Sequence, residues 1–154
     1  MVTEQEIIHS GFTPTRHPQD NMLFESVSAD FARVFGDQLE GVTLFIYRRS
    51  EQAAPADGYE GKTLSFKNEQ TGSFDYALGV SVEALEMGED YAAAIMLHEF
   101  AHIDLSKQNK EHGELFRQCV SDHVRRYEQE TGKDLSKYDV TGGAVQIRNT
   151  GGTN

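Results

Sequence analysis

Cysteine is nearly absent from this 154-residue chain. The single one, Cys119, excludes an intrachain disulfide, the framework on which small secreted domains lean, and suits a reducing, cytoplasmic setting. Long apolar runs are lacking as well. No stretch approaches the roughly 20 residues that a membrane-spanning helix needs. The opening segment, Met1-Val2-Thr3-Glu4-Gln5-Glu6, has neither the basic nor the apolar region of a signal peptide. Positive charge is scarce: 14 Lys and Arg face 25 Asp and Glu, a net charge of −11. Duplex DNA is gripped by clustered Lys and Arg on phosphates. The only adjacent basic pairs here are Arg48-Arg49 and Arg125-Arg126, so the charge disfavours a duplex-binding surface and better fits a protein or peptide partner. No internal repeat, phosphate-binding glycine loop or coiled-coil heptad is visible, and nothing in the pattern fixes an oligomeric state.

What remains is the composition of an ordinary globular domain, 38% hydrophobic and 25% charged. Its length suits one domain, read as residues 1–140, followed by a Gly-rich, flexible tail at 141–154. Leu23, Val27, Phe31, Val34 and Phe35 follow helical spacing and predict a helix over 20–36. Val42 to Arg48, Leu64 to Phe66 and Phe74 to Val82 read as three strands. Residues 50–61 and 68–73 read as loops, marked by Pro and Gly in the first and by turn-forming residues in the second. A helix is predicted from Glu89, whose acidic first turn suits the positive helix end, to about Leu105. A second runs from about Glu111 to Thr131, where Gly132 ends it.

The chemistry is concentrated in His98-Glu99-Phe100-Ala101-His102, at the end of the apolar run Tyr91 to Leu97. On a helix, His98 and His102 project from one face one turn apart. Two neutral imidazoles at that spacing bind one Zn²⁺, and Glu99, turned partly aside, can hold a water beside the metal. The surrounding helix formers place the pentad in a buried helix, where two unpaired imidazoles would be costly. A catalytic zinc site wants three protein ligands and one open position. His112 is the favoured third ligand, with Glu111 and Glu114 as rivals. His123 is read as a packed or exposed histidine, since a fourth protein ligand would close the open position. The strand at 74–82 is either an edge strand that takes an extended substrate at Gly79 and Val80 or a plain sheet strand with a packing glycine.

HEFAH followed by HGELF resembles the SprT-like zinc metallopeptidases, which carry H-E-x-x-H on one helix and His-Gly-x-x-Phe at the start of the next. The match falls on His98, Glu99, His102, His112, Gly113 and Phe116, within about residues 89–120. It does not resemble a metzincin, whose Gly and third His positions hold Leu105 and Gln108 here. The resemblance implies a zincin-like α+β fold: an N-terminal helix, a small, mostly antiparallel three-stranded sheet, an active-site helix and a following long helix. It implies one catalytic zinc on His98, His102 and His112, with Glu99 as general base for peptide-bond hydrolysis by a metal-activated water. Family members often add a zinc ribbon, which the single cysteine cannot build, so the DNA-linked roles of the family are not carried over. Three other readings remain: a catalytically silent zinc-stabilised binding or regulatory module, a zinc hydrolase acting on a non-protein amide, and an α+β binding domain in which the pentad is accidental.

Overall fold

A computed structural model describes residues 1–108 and 113–148 of the chain. The fold is α+β. Among the described residues it has five α-helices, a three-stranded mixed sheet and a two-stranded ladder. None of these helices is long and apolar enough to cross a membrane.

The first helix, α1 (Glu4–His9), opens with a capping box in which Thr3 and Glu6 satisfy each other's backbone N–H groups. Helix α2 (Pro18–Phe35) starts two residues earlier than expected because Pro18 occupies its first turn, where a missing N–H costs nothing. Its inner face carries Val27, Phe31, Val34 and Phe35, all buried.

Strands β1 (Val42–Tyr47), β2 (Gly61–Lys67) and β3 (Phe74–Ser81) form the sheet in the order β1-β3-β2. β2 and β3 are an antiparallel hairpin, while β1 runs parallel to β3. The sheet is therefore mixed, not mostly antiparallel. The connection after β1 carries the chain past β3 and places β2 on the far side. β3 is consequently the central strand. Its alternating residues meet different layers: Tyr76, Leu78 and Val80 join the main core, and Ala77 joins a smaller one with Val2, Ile7, Phe12, Phe45 and Tyr47.

The strand expected to reach residue 82 ends at Ser81, whose hydroxyl accepts from the Ala84 N–H at 3.0 Å and starts α3 (Val82–Met87). This helix was not expected, because Val82 to Leu85 reads equally well as the end of an apolar strand. Helix α4 (Glu89–Lys107) is the centre of the molecule. Twelve of its nineteen residues are buried, on nearly every side, as in a helix covered by other elements all round. Ala92, Ala93 and Ala94 are fully buried and let neighbouring elements come close. Helix α5 (Glu114–Thr131) packs along α4 and ends at Gly132, whose φ of 77° is the left-handed conformation that glycine tolerates. The aromatic rings of Phe31, Phe35, Phe100 and Tyr127 join α2, α4 and α5, with Phe100 centred 5.1 Å from Phe35 and 5.9 Å from Phe31. The chain then forms β4 (Tyr138–Asp139) and β5 (Gln146–Ile147), which pair antiparallel.

Candidate active site

His98, Glu99 and His102 lie on α4 and line one cleft of about 690 Å³. Its opposite wall is β2, through Gly61, Thr63 and Ser65, which alternate onto the same face of the strand. Gly143, Ala144 and Val145, from the turn that leads into β5, close a further side.

The two imidazole centroids are 5.0 Å apart and nearly perpendicular. Phe116, from the first turn of α5, stacks on His102 at 4.4 Å and meets His98 edge-on at 5.0 Å. One aromatic ring thus sets the attitude of both histidines. His98 is buried, and its Nδ1 lies 2.8 Å from the carbonyl oxygen of Val140. A carbonyl only accepts, so Nδ1 carries the proton and donates it. In the neutral ring Nε2 is then the lone-pair nitrogen, the tautomer a metal ligand requires.

Glu99 is partly buried at the cleft. Its Oε1 is 2.9 Å from the Thr63 hydroxyl of β2, which also lies 3.1 Å from the Glu99 backbone carbonyl. Burial pushes the Glu99 carboxyl above the usual carboxylate range, while the Thr63 hydroxyl pulls it partway back. A carboxylate displaced in this direction is a better proton acceptor than a solvated one. Gly61 permits the close approach: a Cβ there would fall 2.4 Å from Ile95 Cγ2 and 3.2 Å from Glu99 Cγ.

Comparison with family models, with curated proteins and with solved structures finds no match to this chain.

His112 and Glu111 lie outside the described residues. Glu114, the other rival ligand, has its side chain 82% exposed in an ion pair with Arg117, away from the cleft. Gly79 and Val80 are not at a sheet edge. Both pair with β1 on one side and β2 on the other, and Val80 is fully buried. A Cβ at Gly79 would overlap the Phe45 ring at 2.4 Å, so this glycine makes room for an aromatic side chain rather than for a ligand. The edge strand at the cleft is β2.

Asp104 and Glu114 are candidates to support the histidines, yet Asp104 bonds His123 at 2.9 Å and the backbone of Val140 supports His98. His123 is a packed histidine, with Phe35 and Phe100 ring centroids at 5.2 and 5.0 Å. Of the side chains that could stabilise a developing oxyanion, Tyr76, Tyr91, Tyr127 and His123, only Tyr76 lines the cleft. Tyr91 donates instead to Glu60. Thr63 and Val140 are the functional residues that sequence reasoning misses. Thr63 sits in a strand with no motif, and Val140 acts through a carbonyl that every residue possesses.

Proposed function

We propose that the chain is a zinc-dependent metallopeptidase of SprT-like, zincin type that hydrolyses peptide bonds in a protein or peptide substrate. The observation that carries this reading is the fixed tautomer of His98, on a helix face shared with His102 and beside the carboxylate of Glu99. The donor set fits zinc: two imidazoles one turn apart, in contact with one aromatic ring and, at His98, with a backbone acceptor.

In this reading His98, His102 and His112 are the ligands. When bound, zinc supplies a Lewis acid that acidifies water and offsets negative charge on the substrate carbonyl. Glu99 does the proton work. Its carboxylate takes a proton from the attacking water and delivers it to the leaving amide nitrogen. Thr63 holds that carboxylate at the cleft wall while its other oxygen stays available. The free edge of β2 offers main-chain N–H and C=O groups to an extended substrate, which gains affinity with little demand on side-chain sequence. The charge of −11 favours a basic substrate segment over nucleic acid.

The test is elemental analysis paired with peptide hydrolysis. Glu99→Gln should keep its zinc and lose turnover, while His112→Ala should lose one equivalent of metal. A Glu99→Gln variant that cleaves at the wild-type rate refutes the mechanism. A wild-type protein that neither carries zinc nor takes it up refutes the enzyme reading.

A further inference from the structure

On the other side of α4 from the HExxH cleft, a second group of donors converges. Asp104 leaves α4, and Cys119 and His123 leave α5 one turn apart. One ligand atom from each lies within 4.8 Å of the other two. His123 Nε2 is 2.9 Å from Asp104 Oδ2, and Cys119 Sγ is 4.0 Å from the same oxygen. All three line a separate cleft of about 250 Å³, whose rim includes Asp122. We infer that Asp104, Cys119 and His123 form a second metal site for a borderline-soft divalent cation such as Zn²⁺, bridging α4 and α5.

Each donor suits that ion: an imidazole, a thiolate and a carboxylate, the sets from which zinc sites are built. Tetrahedral coordination at zinc's usual bond lengths separates ligand atoms by about 3.3–3.6 Å. The observed 2.9 and 4.0 Å bracket that range and the Cys119 and His123 ligand atoms lie within 4.8 Å of each other, so side-chain shifts of up to about an ångström complete the triad. The His123 ring is already set by Phe35 and Phe100, and its Nε2 faces Asp104. The fourth position is left to water from the cleft.

Without a cation, Asp104 Oδ2 is the common partner of the Cys119 thiol and of His123 Nε2. A divalent cation would take the place of the shared protons, the thiol proton passing to solvent. Both helices that carry the site also border the HExxH cleft, through His98 and His102 on α4 and Phe116 on α5. A metal here would fix the spacing of the two helices on which the cleft depends.

This inference does not rest on the peptidase reading, and one spectroscopic probe separates the two. Cys119 is the chain's only cysteine, so a thiolate-to-cobalt charge-transfer band can arise at no other site. Titrating Co²⁺ into the metal-free full-length chain should produce that near-ultraviolet band. It should persist in a His98→Ala/His102→Ala variant, in which the first cleft has lost two ligands. It should vanish in Cys119→Ser and require at least about tenfold more Co²⁺ in Asp104→Asn, about 1.4 kcal/mol of binding. Far-ultraviolet circular dichroism checks that these variants keep their helices. No band in the wild type overturns the inference without recourse to any variant. So does a band of unchanged midpoint in Asp104→Asn and in His123→Ala.

Discussion

Replacing Gly61 with Ala measures how firmly β2 is seated against the helix that carries the motif. A Cβ at this position lands 2.4 Å from Ile95 Cγ2. Non-bonded carbons rest at about 3.5–4.0 Å, so the contact is short by at least about 1 Å. Ile95 is 3% exposed and belongs to the main core, so it cannot swing into solvent. β2 is hydrogen-bonded to the sheet on one side only and is the part that gives. Overpacking of this kind costs about 1–3 kcal/mol. The lower entropy of the unfolded Ala chain returns about 0.4–1 kcal/mol, which leaves a mid-range net loss of about 1 kcal/mol. Thr63 rides on the same strand face, and a displacement of about 1 Å stretches its 2.9 Å contact with Glu99 past hydrogen-bonding range. Misplacing a catalytic group by that much lowers turnover by about a hundredfold. Urea denaturation supplies the stability, and Ile95→Ala closes a double-mutant cycle. Ile95→Ala alone should cost about 2–5 kcal/mol. Because it removes the clashing methyl, the double variant should be no less stable than Ile95→Ala, a coupling of at least about 1 kcal/mol. Wild-type stability in Gly61→Ala, or two losses that simply add, would show that the strand is not seated by this contact.

Other perturbations bear on different parts of the molecule. Asp20 is fully buried and accepts from the Arg48 guanidinium at 2.6 and 2.7 Å and from the Thr15 hydroxyl at 2.6 Å; Asp20→Ala should cost about 2–3 kcal/mol, the lower side of a buried pair because Arg48 reaches solvent. Burial raises the Asp20 carboxyl, but Arg48 and Thr15 outweigh it and hold it below its ordinary value. Its stabilisation is therefore complete above about pH 4 and is lost as pH falls through the folded value. The stability gap between wild type and Asp20→Ala should narrow on acidification, and a gap that widens would contradict the assignment. Phe100→Ala opens the junction of α2, α4 and α5 and should cost about 3–5 kcal/mol by denaturant unfolding; a loss under about 1 kcal/mol would mean the site collapses freely. Thr63→Val removes the hydroxyl that favours ionised Glu99, so the acidic limb of the kcat/KM profile should move to higher pH with zinc content unchanged. Superimposable profiles would remove Thr63 from the site.

The three long helices, α2, α4 and α5, were the most legible part of the fold. Val27, Phe31 and Val34 repeat at helical spacing, and the Ala-rich run before His98 leaves a strand little to recommend it. The strands were legible one by one, but their order was not. Local composition in Val42 to Tyr47 and in Phe74 to Ser81 says nothing about which strand stands in the middle. The parallel pairing of β1 with β3 depends on the path of the connection after Tyr47, where no residue type signals a crossover. Gly79 illustrates the ambiguity, since a glycine in a strand suits a close ligand and a close aromatic ring equally, and only the position of Phe45 decides. At the site, His98, Glu99 and His102 were readable because a helix converts spacing directly into a shared face. Thr63 and Val140 were not, because their contacts join distant elements and one uses a backbone atom.

The hydrogen bond between His98 and Val140 spans forty-two residues of sequence, and that distance has a consequence for the order of events in synthesis. Synthesis completes the HExxH pentad well before it reaches the carbonyl that sets the tautomer of His98. The cleft wall at Gly143 to Val145 comes later still. A nascent chain paused after α4 therefore carries the motif without the geometry, and the proposed peptidase stays latent among its neighbours on the polysome until the C-terminal hairpin folds back.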